Sequence, residues 1–273
     1  MKKIYKSGLM ALIISVICLH TLNAQCKIDN IYFQSGEVLE YDLHFKWGLI
    51  SKKSGWAKLK TLDAKYNGQD VYKISLSSAS TGTARSFFKL NDTISCVLTK
   101  DLVPLAFTKD AHEDDDYTKE RVTYNYSDGK IKTRSVRHKN GNFKFDETFE
   151  TKDCIYDMMS IVFYARTLDY GHMRKGDKVN VNFISGKKRL KMTIVHDGTE
   201  KLKVGDDNKY NTIRLVLKIS DDAFENSEEA MKVYITNDNN RLPIRIDSKL
   251  KVGNARVILK SFKGNKHPVN RSN

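Results

Sequence analysis

Most of the chain alternates between apolar and polar residues with a period of two. This alternation is typical of strands with one buried face and one solvated face. Asn-Gly and Asp-Gly pairs separate many of the segments, and they suit tight hairpins because both central residues must reach positive φ. The sequence therefore predicts a mainly β protein, built as a curved antiparallel sheet or a half-open barrel. The segments that follow the pattern are 38–45, 55–62, 70–78, 121–127, 130–138, 178–184, 189–196, 212–220 and 254–262.

The stretch VYITNDNNRLPIRIDSKL, residues 233–250, combines two alternating runs with a turn and a proline. Residues 237–240 tolerate left-handed conformations, which suits a turn. Pro243 has no amide donor, so it belongs at the start of a strand or on an edge. We predict that residues 233–236 and 242–248 pair as antiparallel strands.

The stretch 96–110 has nearly the same plan as 233–250, with Pro104 in the position of Pro243. The segments that precede the two stretches also resemble each other and occur in the same order, which indicates an internal repeat. We expect similar halves joined through a helical segment. The predicted organisation is a single β-rich domain over 25–263, with halves at about 32–150 and 171–263, followed by a basic flexible tail over 264–273.

One segment, DCIYDMMSIVFYARTLDY, breaks the strand pattern because its apolar residues recur at helical spacing. Asp153 can serve as the N-cap, and Asp157 then lies in the first turn, where a carboxylate suits the helix dipole. Arg166 near the other end suits the opposite pole. The spacing predicts a helix over about 153–168 that packs on a sheet face or plugs an opening.

The first 24 residues have the composition of a secretory signal peptide. Lysines precede the apolar run 9–19, which is too short to span a membrane as a helix, and LNA at 22–24 ends in a small residue. We therefore expect an exported protein of the periplasm or cell envelope with no transmembrane segment, although peripheral contact with a membrane stays possible. Lipid anchoring at Cys26 is a less favoured alternative, because Gln25 precedes it where a small residue is usual.

Charge and cysteine content restrict the partners. The net charge of +14 falls to +11 when residues 1–24 and their three lysines are removed. This charge favours anionic surfaces such as lipid head groups or acidic glycans, whereas export and the lack of a basic helix argue against nucleic acid.

Cys26, Cys96 and Cys154 remain after removal of residues 1–24, so at most one internal disulfide forms, and the sequence does not say which pair forms it.

Few residues suggest chemistry. No nucleophile elbow, phosphate-binding glycine loop or zinc-protease motif occurs. The acidic run 112–117 offers carboxylates to a hard cation, but successive residues of a strand point to opposite faces. We favour a solvated loop there, and we predict no metal, no cofactor and no catalytic residue.

Aromatic residues supply the one candidate ligand site. Such residues fill β cores by default, and the alternative is an apolar groove between a curved sheet and the helix. A basic rim would suit an amphiphile with an acidic head. The candidate ligand-binding residues are Trp47, Trp56, Tyr156, Phe163 and Tyr164.

Four blocks in a fixed order carry a family resemblance: YDMMSIVFYAR, GDKVNVNF, DGTEKLKVG and VYITNDNNRLPIRIDSKLKVGNARVILKSF. The chain from about 32 to 262 resembles the bacterial exported proteins catalogued as domain of unknown function 3108. The resemblance implies a periplasmic or cell-envelope protein with a mainly β fold, and it supplies no reaction. The family-like positions are Asp157, Ser160, Tyr164, Arg166, Gly198, Glu200, Asp238, Pro243 and Gly253.

Three functions are compatible with these features. The first is non-enzymatic binding of a lipid, glycan or envelope partner, which a large apolar pocket would favour. The second is a structural or assembly factor that docks on another envelope protein through exposed sheet edges. The third is an enzyme acting on a polysaccharide, which two facing carboxyls with one raised pKa would favour. The sequence leaves the oligomeric state open.

Overall fold

The computed structural model describes residues 26–47, 50–205, 208–220, 225–251 and 253–272. The predicted signal peptide therefore lies outside the described residues. Fifteen strands of the described chain form one sheet, and a single α-helix, α1, covers Ser160–Thr167. The strands are β1 (Val38–Trp47), β2 (Ile50–Tyr66), β3 (Gln69–Ser80), β4 (Leu90–Thr99), β5 (Pro104–Glu113), β6 (Asp116–Ser127), β7 (Lys130–Lys139), β8 (Asn142–Thr151), β9 (Ile155–Tyr156), β10 (Lys178–Ser185), β11 (Lys188–Val204), β12 (Asn208–Ile219), β13 (Met231–Thr236), β14 (Pro243–Leu250) and β15 (Gly253–Lys263).

The strand order follows the chain in two runs. Strands β1 to β8 lie side by side in sequence order, strands β9 to β15 do the same, and β1 pairs with β15 to join the runs. All pairs are antiparallel except β9 with β10, which is parallel. The two ends of the sheet approach each other, because Ser135 on β7 donates a hydrogen bond to the carbonyl oxygen of Gly186 at 3.0 Å. The sheet is thus a nearly closed barrel, which confirms the predicted β architecture.

The hairpin β13–β14 confirms the predicted pairing of 233–236 with 242–248, with a register that runs from Met231–Ser248 to Ile235–Pro243. Its turn is closed by the Thr236 amide, which donates to the Leu242 carbonyl at 2.9 Å. The Leu242 amide in turn donates to Thr236 Oγ1 at 2.9 Å.

The β4–β5 turn repeats this pattern. The Thr99 amide donates to the Val103 carbonyl at 3.0 Å, and the Val103 amide donates to Thr99 Oγ1 at 3.0 Å. Pro104 then opens β5 as Pro243 opens β14, so the missing amide donor falls at a strand start in both hairpins.

The helix is shorter than the predicted span of 153–168, because two neighbouring residues, Ile155 and Tyr156, form strand β9 beside β10. Asp157 is the capping residue and Asp153 is not. Asp157 Oδ1 accepts hydrogen bonds from the backbone amides of Met159 at 2.9 Å and Ser160 at 2.8 Å. No helix in the described part of the chain is long and apolar enough to cross a membrane.

One end of the barrel carries the helix, the chain before β1 and the chain after β15, and we call it the closed end. A disulfide between Cys26 and Cys154 ties the start of the described chain to the segment before β9. Cys96 keeps a free, buried thiol on the inner face of β4.

The segment 264–272, for which the sequence predicts a flexible tail, is hydrogen bonded to the closed end. Asn240 Nδ2 donates to the carbonyl oxygen of His267 at 2.8 Å, and the His267 amide donates to Asn240 Oδ1 at 2.8 Å. The Ser272 amide donates to the Lys209 carbonyl at 2.9 Å. This segment therefore belongs to the folded unit.

Candidate functional site

The inner face of the barrel changes from apolar to charged along one continuous row. Residues directly opposite each other on antiparallel strands point to the same face, so the strand registers define such rows. On β1 to β4 the row is apolar, and on β5 to β7 it is charged. Its members in order are Leu39, Leu59, Leu76, Ile94, Lys109, Glu120 and Arg137.

The charged part of the row is paired across the strands. Arg137 Nε donates to Glu120 Oε2 at 2.6 Å, and Lys109 Nζ lies 3.2 Å from Glu113 Oε1. The Glu120 side chain is 5% exposed, whereas those of Arg137 and Glu113 are 35% and 42% exposed. Of these three side chains, Glu113 lies at the end of β5 farthest from the helix and is the most exposed, and we call this end of the barrel the open end.

Asp92 on β4 lies one step nearer the open end on the same face, and it is only 7% exposed. Its Oδ1 is buried and has no hydrogen-bond partner among the described residues. Burial and, to a smaller extent, the Glu113 carboxylate together raise the pKa of Asp92 to about 6, against an opposing effect of Lys109. A buried acceptor without a partner is rare in folded proteins, so it points to a group that a ligand or water would satisfy.

The open end thus offers donors and acceptors in nearly equal number. Lys109 and Arg137 can donate hydrogen bonds, while the three carboxylates accept them. Opposite charges nearly cancel, so the surface suits a polar ligand with many hydroxyl groups more than a strongly charged one. Within the described ranges, no group of three His, Cys, Asp or Glu side chains could hold a metal ion.

The aromatic candidates do not meet in one place. Phe163 is fully buried and packs edge-on against Phe33, with ring centroids 4.8 Å apart. Tyr156 is 3% exposed and lies against Tyr164, at 4.7 Å between centroids, in a separate core cluster.

The remaining two aromatic candidates lie on strands near the junction of the two runs. Trp56 is 40% exposed and lies on the outer face of β2, since the neighbouring Ala57 is buried within the barrel. Trp47 is the last residue of β1. The rings of Phe163 and Tyr156 therefore occupy the space between the helix and the sheet at their positions.

Arg166 and Asp157 have clear partners at the closed end. Arg166 Nη1 and Nη2 lie 2.6 and 2.8 Å from the two carboxylate oxygens of Glu37, and Nη2 also donates to the Asn240 carbonyl at 2.8 Å. Asp157 Oδ2 accepts from the Tyr124 hydroxyl at 3.2 Å, while burial raises the pKa of this carboxyl. Both residues join the helix to the barrel wall.

Other family-like positions shape turns and bulges. Asp238 Oδ1 accepts from the Asn240 and Arg241 amides at 2.9 and 3.2 Å. Gly198 has φ +91° at a register shift in β11, and a Cβ at Gly253 would lie 2.7 Å from a carbonyl oxygen of β1. Three further positions make local contacts: Glu200 with Arg214 at 3.4 Å, Ser160 with Asp157, and Pro243 at the start of β14.

Sequence reasoning missed the charged row, although a signal for it exists. The alternation puts Lys109 on the face of the buried Phe107 and Ala111, and Glu120 on the face of the buried Val122. Charged residues at inward positions of a strand mark a polar patch inside the barrel. Only the register, however, shows that these residues stand side by side.

Comparison with known proteins agrees with the fold. Among solved structures, a β-barrel-like protein of domain of unknown function DUF1849 from Brucella abortus has a TM-score of 0.56 at 7% identity, covering 86% of this chain and 99% of its own. A protein from Bacteroides fragilis, assigned as exported and with a YmcC-like fold, has a TM-score of 0.35 at 11% identity, covering 87% and 100%. Curated protein sequences give no match. Residues 40–260 match the model of the protein family of unknown function DUF3108, and the chain belongs to that family.

Proposed function

We propose that this protein is an exported cell-envelope protein that binds a glycan at the open end of its barrel without reacting with it. The observation that carries the proposal is the charged row on the inner face, with the buried and unpartnered Asp92 Oδ1 beside it. Inward positions of a barrel are normally filled by apolar side chains. The charges of the row pair with one another, but Asp92 Oδ1 beside them has no partner, and a ligand rich in hydroxyl groups would provide one.

Export is supported by the sulfur chemistry. A structural disulfide persists in oxidising compartments such as the periplasm and is rare in the cytosol. Cys26 Sγ is bonded to Cys154 Sγ, so the same sulfur cannot carry the thioether of a lipid anchor. A mature protein released from its signal peptide, without a lipid at Cys26, is the form consistent with this bond.

A glycan fits the open end better than a lipid does. The rings of Phe163 and Tyr156 fill the space beneath the helix where an acyl chain was expected to lie. The open end instead presents a guanidinium, an ammonium and carboxylates, the groups that hydrogen bond to sugar hydroxyls. The apolar residues of the row, such as Ile94, would face the less polar side of a sugar ring.

The test is binding of a panel of neutral, amino and acidic oligosaccharides to the purified chain, with phosphatidylethanolamine vesicles as the lipid probe. Asp92→Asn and Glu120→Gln keep the side-chain shape, and each should weaken glycan binding about tenfold by removing a charged acceptor. Asp70→Asn, at an exposed ion pair on β3, is the matched control and should leave binding unchanged. Binding of vesicles alone, or equal effects of the three variants, would refute the proposal.

A specific observation favours an enzyme acting on a polysaccharide as the second candidate. Burial and the Glu113 carboxylate raise the pKa of Asp92 to about 6, so near that pH Asp92 can donate a proton beside a second carboxyl. In that case Asp92→Asn would abolish release of sugar products while oligosaccharide binding persists. Loss of binding without any measured turnover in the parent protein would favour the first proposal.

Docking through a sheet edge has less support. Strand β8 ends the strand order, and most of its side chains are exposed. It carries Lys144, Asp146, Glu147 and Glu150, and charged side chains on an edge strand hinder pairing with another chain. This composition favours a protected edge over a docking edge.

A further inference from the structure

The outer face of β6 and β7 carries a groove of about 380 Å³ that is separate from the charged row. Its volume lies in the range of about 300–1,000 Å³ that is usual for small-ligand sites. It faces away from the charged row, because Lys119 points outward where the neighbouring Glu120 points inward. The groove is lined by Tyr117, Lys119, Arg121, Val136, His138 and Gly141.

The positive charges of this groove differ in how they are paired. Arg121 Nη2 lies 3.0 and 2.9 Å from the two carboxylate oxygens of Asp110, so its charge is matched. Lys119 is exposed and forms no close ion pair in the described segments, although Asp110 stands directly opposite it on β5 and attracts its charge at longer range. His138 stands directly opposite Lys119 across the two strands. Asp110 thus serves two cations, Arg121 and Lys119, so the groove keeps an excess positive charge on the same side as the His138 imidazole.

Aromatic rings border these charges. The rings of Tyr117 and His112 stack, with centroids 4.3 Å apart and planes 15° apart. Phe143 packs edge-on against His138 at 5.8 Å, yet it is 62% exposed. An exposed aromatic face beside an exposed lysine is a surface that an acidic sugar would use, with its ring on the aromatic side chain and its carboxylate on the ammonium.

We propose that this groove is a second ligand site, which binds an acidic saccharide through Lys119 and His138. The charge of Lys119 attracts the acidic group, and Asp110 holds Arg121 and the Tyr117 hydroxyl in place, the latter at 3.0 Å. A membrane surface fits less well, because Phe143 is the one strongly exposed apolar side chain beside the groove in the described residues. The site does not depend on the glycan proposed for the open end.

The test is titration of trigalacturonate into the purified chain at low ionic strength, with maltotriose as the neutral probe. Trigalacturonate should bind and maltotriose should not, and added salt should weaken binding because the contact is ionic. Lys119→Glu should weaken trigalacturonate binding at least about tenfold by turning attraction into repulsion. Lys201→Glu, at an exposed lysine of β11, makes the same charge change elsewhere and should leave the affinity within twofold or so.

The results separate this site from the open end. Trigalacturonate binding that survives Asp92→Asn and Glu120→Gln supports an independent outer site. Three results would overturn it: equal losses for the Lys119 and Lys201 variants, equal binding of maltotriose, or Lys119-dependent binding of phosphatidylglycerol vesicles in place of the saccharide.

Discussion

Glu37 and Arg166 form a two-point ion pair, at 2.6 and 2.8 Å, in which both side chains are only 1% exposed. The two residues lie before β1 and on the helix. The Arg166 guanidinium also lies over the rings of Phe33 and Phe163, at 5.0 and 5.6 Å. The pair therefore fixes the helix against the first run of strands at the closed end.

Arg166→Met should destabilise the fold by roughly 3–5 kcal/mol, because it leaves the Glu37 carboxylate buried without its partner. The free energy of unfolding, measured by urea denaturation, reports this loss. Arg134→Met is the matched control, since Arg134 pairs with Asp146 on the exposed face of β7 and β8. A comparable loss in both variants would show that the buried ion pair contributes no more to stability than the exposed one.

Asp157→Ala should destabilise the fold by about 1–3 kcal/mol, because two backbone amides and the Tyr124 hydroxyl lose their acceptor. Asp153→Ala should have almost no effect, since Asp153 is exposed and does not cap the helix. Urea denaturation of the two variants distinguishes the observed cap from the one expected at first. The opposite ranking would restore Asp153 as the cap.

Asp92 should make stability depend on pH in a direction unusual for a carboxyl. Its pKa in the folded state is about 6, above the usual value of 3.8, so the folded state binds the proton first as pH falls. Ionised Asp92 therefore lowers the free energy of unfolding of the protein at neutral pH. This free energy rises as the pH falls from above 6 towards 3.8, because the folded state takes up the proton.

Asp92→Asn removes this dependence. At about pH 7.5 the variant should exceed the parent by on the order of 2 kcal/mol, and the difference should shrink by about pH 5. Urea denaturation of both proteins at the two pH values measures it. A difference that grows on acidification would mean that the Asp92 pKa is lowered and not raised.

The thiols should react in a fixed order. In the chain from residue 25 onward, no cysteine should react with a maleimide while the protein is folded, because Cys26 and Cys154 are bonded and Cys96 is buried. One thiol should react after denaturation and three after reduction, as read by intact mass. The double variant Cys26→Ser, Cys154→Ser should lose roughly 3–5 kcal/mol of stability, because the bond closes a long loop.

The β architecture and the hairpin 233–248 could be predicted because alternation and turn residues are local signals. The start of the helix could not, because Ile155 and Tyr156 fit helical spacing and are drawn into a strand only by β10. Arg166 satisfied a helix-dipole argument, yet its partner Glu37 lies 129 residues away along the chain. No local pattern identifies such a partner.

The candidate site could likewise be predicted only in part from the sequence. Lys109, Glu120 and Arg137 occupy inward positions that the alternation reveals one strand at a time. Their alignment depends on two registers, and those registers follow from how the whole sheet closes. The aromatic residues suggested a groove because composition does not distinguish a ring that packs from a ring that lines a pocket.

The strand order has a consequence for how the chain assembles. Every strand pair but one joins consecutive strands, so each hairpin can form soon after its residues emerge during synthesis. The exception is β1, whose partner β15 is the last strand made. One edge of the growing sheet therefore stays uncovered until translation is nearly complete, and a chain truncated before residue 253 would expose the β1 edge to other chains.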